Sequence, residues 1–465
     1  MDHAMDQQHH KHEPSRLRQR RPKPRWWAVG LAGMTGLALT TVGVAAAADA
    51  ARPFPTSAED RPGKTADHPG TPDKPATGGH RSESDEQGKG KKEPKGIPVP
   101  CDTDKLIAAI TLANARGGAT LNLAKDCTYL LTTNLDGAGL PTITTPITLN
   151  GNKHTTIERA AAADQFRILT INVGGDLTLN NLKITGGQTI GDGGAILVNT
   201  GGRLTANDSA ITRNIADGNG GGIANNGITH INHSSVDDNS AAVFGGGVLS
   251  FGVLKIRKTN VRTNTTGFVG AGVFGAGEVQ IDSSTINANH ASFGAGGLVM
   301  FIGIGAVTDT AITNNTAMEV GGILVNLDTQ LTLKSVTVAE NVATASLVGG
   351  LGMNPGSSVV VENSTIKNNT ADTDAGGIYN TGSLVLRRTK VTGNQAGDEG
   401  GGIHNTFGGA AHLFDTKVVK NIAATDGGGI FNDFNGTVEL NTATGTIVVK
   451  NRPNNCSGDV PGCAG

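Results

Sequence analysis

The chain has 465 residues, with 38 Lys plus Arg against 40 Asp plus Glu and a formal net charge of −2. That balance excludes the strongly basic surface that nucleic-acid binding requires. Length alone suggests two or three domains, but a repeat described below replaces them with one long solenoid.

Residues 16–25 are basic, 26–44 are apolar and 45–48 are four alanines. Basic, apolar and small-residue regions in that order predict a secretory signal peptide over residues 1–48. The same apolar run is just long enough to span a bilayer as an uncleaved anchor, which needs about 20 residues. His9, His10 and His12 precede the signal and so form no metal site in an exported protein. Residues 49–97 are rich in Pro, Gly, Lys, Asp and Glu and almost devoid of large apolar side chains. Such a segment cannot bury enough surface to fold, so a disordered spacer is expected there.

A capping helix comes next. Asp102 or Thr103 can N-cap it, Leu106, Ile107, Ile110 and Ala113 form one apolar face, and Gly117 with Gly118 ends it.

From residue 211 a branched aliphatic residue, two variable residues and an asparagine recur ten times. The pairs are Ile211/Asn214, Val236/Asn239, Val261/Asn264, Ile286/Asn289, Ile312/Asn315, Val338/Asn341, Ile366/Asn369, Val391/Asn394, Val418/Asn421 and Val448/Asn451. A Gly-Gly-aliphatic step alternates with them, centred on Ile196, Ile223, Val248, Val273, Leu298, Ile323, Leu351, Ile378, Ile403 and Ile430, at intervals of 25 to 28 residues. Periods in this range mark stacked repeats. The apolar runs are short and rich in Val, Ile and Thr, with Gly, Asn and Asp between them, and no repeat carries 3.6-residue periodicity. Three short strands and three tight turns use roughly 25 residues, so each repeat is read as one coil of a parallel solenoid. Stacked at about 4.8 Å, ten coils span about 48 Å. The glycine-step aliphatics would stack inside, and the asparagines would bond to one another and to turn carbonyls along the axis.

With these motifs the chain resembles the right-handed parallel β-helix proteins of the pectin-lyase-like superfamily, especially secreted bacterial repeat proteins. Gly193, Gly194, Ala195 and Ile196 also match the Gly-Gly-Ala-Ile element of the polymorphic outer-membrane protein repeats. Those repeats pair that element with Phe-x-x-Asn, where this chain has Ile or Val. The resemblance covers residues 98–465 and implies an all-β, right-handed parallel β-helix solenoid with a short N-terminal capping helix. The cap is placed at 98–130, the coils at 131–451 and a C-terminal disulfide cap at 452–465. Four cysteines allow three pairings. In a rod, Cys101 with Cys127 and Cys456 with Cys463 lie at opposite ends, so these are the expected disulfides, and they fit an oxidising compartment.

Chemistry-bearing residues are few. Asp237 and Asp238 are adjacent carboxylates, and with Lys255 and Arg257 they form the best catalytic set if the chain is a polysaccharide lyase or hydrolase, as the resemblance allows. Repeat alignment sets Arg262 beside Asp237, Arg213 beside Asp238 and Arg257 beside Asp282, which reads as interstrand ion pairing instead. His230 and His233 would face opposite ways on a strand, and Arg387, Arg388 and Lys390 form a basic spot. Asp374, Glu399 and Asp426 recur four residues before the glycine-step aliphatic, with Asp372 and Asp398 nearby. Ca²⁺ would relieve their stacking repulsion; a hydrated turn with splayed side chains would serve as well. Phe244, Phe251, Phe268, Phe274, Phe293, Met300 and Phe301 cluster in the middle coils, either as an exposed apolar strip for binding or as filling for a wider core. Both tryptophans precede residue 28, and Tyr129 and Tyr379 are the two tyrosines, so the coils lack a Trp/Tyr platform for sugar stacking. The expected function is a secreted, extracellular or cell-surface rod that binds a surface protein or glycan, without catalysis, nucleic acid, required cofactor or a membrane span once the signal is cleaved. A pectin-lyase-like enzyme is the alternative.

Overall fold

The computed structural model describes residues 96–464. The expected leader, nearly all of the spacer and His9, His10 and His12 lie outside the described residues. No helix among the described residues is long and apolar enough to cross a membrane.

The described residues form a parallel β-solenoid of about 14 turns, which corresponds to about 65 Å of stacked coil. The asparagine repeat accounts for ten of them. Four more precede it, carried by Ile97–Val99, Ala119–Leu123, Pro146–Asn150 and Asp176–Asn180. These strands stack in register, Leu121 on Leu149 and Leu149 on Leu179, although their turns lack the asparagine signature. Aliphatic burial stacks these turns together with a separate row of asparagines, in which Asn150 Nδ2 donates to Asn122 Oδ1 at 3.0 Å and Asn180 Nδ2 to Asn150 Oδ1 at 2.8 Å.

A repeat coil holds four short strands, not three. One coil runs Ile223–Asn225, Ile228–Asn232, Ser235–Asp237 and Ser240–Ala241. The extra strand follows the asparagine, because the residue before it turns the chain with positive φ, as at Arg213 (57°), Thr263 (51°) and Glu340 (57°). In each strand alternate residues face opposite ways. The ten glycine-step aliphatics, Ile196 through Ile430, are all 0% exposed and form one inner column. The aliphatics from Ile211 to Val448 form a second. Each such burial stabilises by about 1.5–3 kcal/mol.

The asparagines form a continuous buried ladder. Asn239 Nδ2 donates to Asn264 Oδ1 at 3.0 Å and to the Ile211 carbonyl at 2.9 Å, while its backbone N–H also donates to Asn264 Oδ1 at 3.0 Å. The pattern repeats to Asn451, where Asn455 accepts the last pair of bonds. The close approach of neighbouring coils beside this ladder explains the glycines. A Cβ on Gly322 would stand 2.4 Å from the Gly350 carbonyl oxygen and 3.1 Å from Asn341 Nδ2, so a larger residue would push the strand off the ladder. A second ladder of hydroxyls turns the corner two residues before the aliphatic in every repeat except that of Val338, where Val336 interrupts it. Ser209 N–H donates to Ser234 Oγ at 3.0 Å, and Ser234 N–H to Thr259 Oγ1 at 3.3 Å.

Both ends are closed. The helix Thr103–Ala115 is capped by Asp102, whose side chain accepts from the Lys105 N–H, and it buries Leu106, Ile110 and Ala113 on the first turns. Disulfides join Cys101 to Cys127 and Cys456 to Cys463.

Candidate functional site

Because glycine-step strands alternate, their first and third residues face the core and their second faces out. The second-residue column includes Leu249, Phe274, Val299, Leu324, Tyr379, His404 and Phe431. Turn residues just before the strands fold over it, and together they build an apolar cluster separate from the main core. This outer edge packs as its own cluster, apart from the inner columns.

In the middle coils the edge is aromatic. Phe293 stacks on Phe268 at 5.3 Å, Phe268 meets Phe244 at 5.8 Å, and Phe244 meets Phe274 at 4.9 Å. Phe274 also contacts Phe301 at 5.6 Å and Phe251 at 6.4 Å. Six of the seven residues grouped from the sequence therefore form one network. Met300 does not join it. As a third strand residue it points inward, fully buried, and its thioether sits where Gly305 leaves side-chain space. The network is graded in depth: Phe274 is 2% exposed beneath its neighbours, whereas Phe251 is 53% exposed. Beside it the strands Val273–Asp282 and Leu298–Thr308 run straight through a corner where other coils bend, aided by Gly277 and Gly303 at positive φ. They expose Ile302 and Ile304 around a shallow hollow lined by Gly277, Val279 and Ala306.

Further along, Glu319 follows Phe293 on the same edge, its N–H donating to the Phe293 carbonyl at 3.1 Å. Burial alone pushes its carboxyl up to about 7.

In the late coils the edge becomes polar. One donor atom from each of Asp374, Glu399 and His404 lies within 4.8 Å of the others. Two carboxylates at that distance repel by about 1 kcal/mol even in bulk water. The His404 ring lies between Tyr379 at 5.3 Å and Phe431 at 5.0 Å, both edge-on. Its Nε2 is 3.3 Å from Asp433 Oδ2. Burial raises the Tyr379 hydroxyl, and the Asp374 and Asp433 carboxylates raise it further. Asp426, grouped with Asp374 and Glu399 from the sequence, is engaged elsewhere. It accepts from Ser457 and Asn454 side chains, both at 2.7 Å, and from the Gly427 N–H, and these bonds lower its pKa against the opposing effect of burial. His404 takes its place in the group.

Asp237, Asp238, Lys255 and Arg257 do not meet on one face. Asp237 belongs to Ser235–Asp237 and pairs with Arg262 at 3.2 Å, whereas Lys255 and Arg257 lie on Val253–Arg257 around a corner. Arg257 pairs with Asp282 at 3.3 Å. Asp238 accepts from the Thr263 hydroxyl instead of pairing with Arg213. His230 faces Lys255 across the ladder, and its pKa is lowered by burial first and then by Lys255 and Arg203. Arg387 pairs with Glu362 at 3.4 Å, and Arg388 donates to Asn363 at 2.7 Å.

His404 and Tyr379 escaped the sequence reading as site residues. Their signal was available, since both sit directly after a glycine-step aliphatic, but only the facing of that column reveals that they share a surface with the acidic turn.

No protein-family model and no curated protein sequence matches this chain. Among solved structures, the A-module of the mannuronan C-5 epimerase AlgE6 from Azotobacter vinelandii is similar, with 12% identity and a TM-score of 0.40. The match covers 74% of this chain and 99% of that one, and no residue role is carried over from it.

Proposed function

We propose that the chain is an exported extracellular or cell-surface protein whose solenoid binds a protein or glycan along its outer edge without catalysis. The observation that carries this reading is the contiguous phenylalanine network on an edge separate from the main core. Contiguous exposed apolar surface on a soluble protein marks contact sites, and Phe251, Ile302 and Ile304 supply it here. Two disulfides are compatible with an oxidising compartment.

A polysaccharide lyase or hydrolase is the second reading. One observation favours it: the acid–base groups of Asp374, Glu399, His404 and Tyr379 gather on the same edge. The original catalytic set, split across a corner, does not support it.

The test takes the purified chain over a panel of immobilised acidic and neutral polysaccharides, with and without Ca²⁺, while new reducing ends and unsaturated-uronate absorbance are followed. Retention without product is the expected result for a glycan-binding rod. Product that disappears in Glu399→Gln and His404→Gln variants establishes the enzyme instead. Neither retention nor product directs the first reading to a protein partner.

A further inference from the structure

We propose that Asp374, Glu399 and His404 bind a divalent transition-metal ion of the zinc class. The inference goes beyond the binding reading and stands whether or not that reading holds.

Three observations carry it. The first is convergence, since donor atoms of all three residues lie within 4.8 Å of one another. Ligands of a tetrahedral ion with bonds near 2.0–2.1 Å sit about 3.4 Å apart, so an inward shift of the side chains closes the set. The second is an orphaned nitrogen. His404 is 4% exposed, and its Nδ1 is buried with no hydrogen-bond partner. A buried polar atom left unmatched in this way calls for a partner that the chain itself does not supply. The third is orientation. A carboxylate can only accept, so the contact with Asp433 Oδ2 calls for a hydrogen on Nε2, and in the neutral imidazole that tautomer carries its lone pair on Nδ1. A metal-binding imidazole is held in this manner, its second nitrogen donating to a carboxylate. The Tyr379 and Phe431 rings on either side fix the plane of the imidazole.

The donor set also selects the ion. Ca²⁺ is bound by oxygen donors, whereas imidazole with carboxylates suits zinc and its neighbours. Asp426, which would have completed an all-oxygen set, is held by Ser457, Asn454 and Gly427. The ligands come from two successive turns, Asp374 from one and Glu399 with His404 from the next, so the site exists only when the coils are stacked.

The test uses the full chain with His3, His9, His10, His12, His68 and His80 changed to Ser, which removes the N-terminal imidazoles as competitors. After chelator dialysis it is titrated calorimetrically with Zn²⁺, Co²⁺ and Ca²⁺ separately. One equivalent of Zn²⁺ is expected, with Co²⁺ developing the visible absorption bands of a nitrogen-ligated ion. Asp433→Asn should weaken Zn²⁺ by about 10- to 100-fold, His404→Gln by at least as much, and Asp426→Asn not at all. Absence of Zn²⁺ and Co²⁺ binding in the unsubstituted site overturns the proposal, as does Zn²⁺ binding unchanged by His404→Gln. Ca²⁺ binding that depends on Asp426 also overturns it. The cobalt spectrum reads the nitrogen ligand directly, so a variant that fails to fold leaves the proposal testable.

Discussion

Phe274 and His404 hold the same place in the solenoid. Each is the second residue of a glycine-step strand and faces out of its coil. Phe274 is buried among Phe244, Phe251 and Phe301, whereas His404 lies between Tyr379 and Phe431 beside two carboxylates. The column of first strand residues shows no such divergence: the residues immediately before these two, Val273 and Ile403, are both 0% exposed aliphatics. Stacking dictates what lies inside each coil and leaves the outer edge open. One edge can thus carry an aromatic half and an acid-histidine half at the same place in the coil, and the difference between the halves is where function is to be sought.

The contrast can be broken from the inside. Ile323→Asp places an unpaired carboxylate in the inner column and should destabilise by at least about 4 kcal/mol, unfolding the central turns. A thermal melt followed by circular dichroism checks it; an unchanged melt would contradict the stacking. Asn341→Ala removes the acceptor of both the Asn315 N–H and the Asn315 amide. With two donors left buried, the expected loss is about 2–4 kcal/mol in denaturant unfolding.

Glu319 lies between the two halves and sharpens the comparison by pH. Its folded pKa is about 7 against an ordinary 4.5. The stability it contributes is complete below pH 4.5 and is lost as pH rises through about 7, because ionisation in the fold is disfavoured. Denaturant unfolding at about pH 5 and about pH 8 should therefore differ by about 1–3 kcal/mol from this group, a difference that Glu319→Gln abolishes. The smallest effect belongs to the Arg257–Asp282 pair, whose side chains are 64% and 41% exposed. Arg257→Ala should change stability by less than about 1 kcal/mol.

Much of the fold was legible because its strongest constraints are periodic. Gly322 and Asn341 mark the same close approach, a glycine kept small by the Gly350 carbonyl of the next coil with the asparagine amide beside it. The positive-φ residue before each asparagine was not legible, since Arg213, Thr263 and Glu340 share no chemistry there. Side-chain type does not report a backbone angle that the asparagine bonds enforce. The hydroxyl column at Ser209, Ser234 and Thr259 was present in the sequence and passed unread, for serine and threonine are common in turns for other reasons. The four turns before residue 203 lack the repeat signature and so shortened the expected rod. At the edge, Phe244 through Phe301 could be grouped by proximity in the repeat, but Met300 could be separated from them only by strand facing. His404 was missed for the same reason.

The most direct measurement compares the unsubstituted chain with a Phe251→Ser, Phe301→Ser variant in two readouts, the thermal melt and retention on the polysaccharide panel. If the outer edge serves binding and not the fold, the melt stays within about 2 °C and retention is lost. A melt that falls sharply, or retention that survives both substitutions, would contradict the division between an inside set by stacking and an edge set by function.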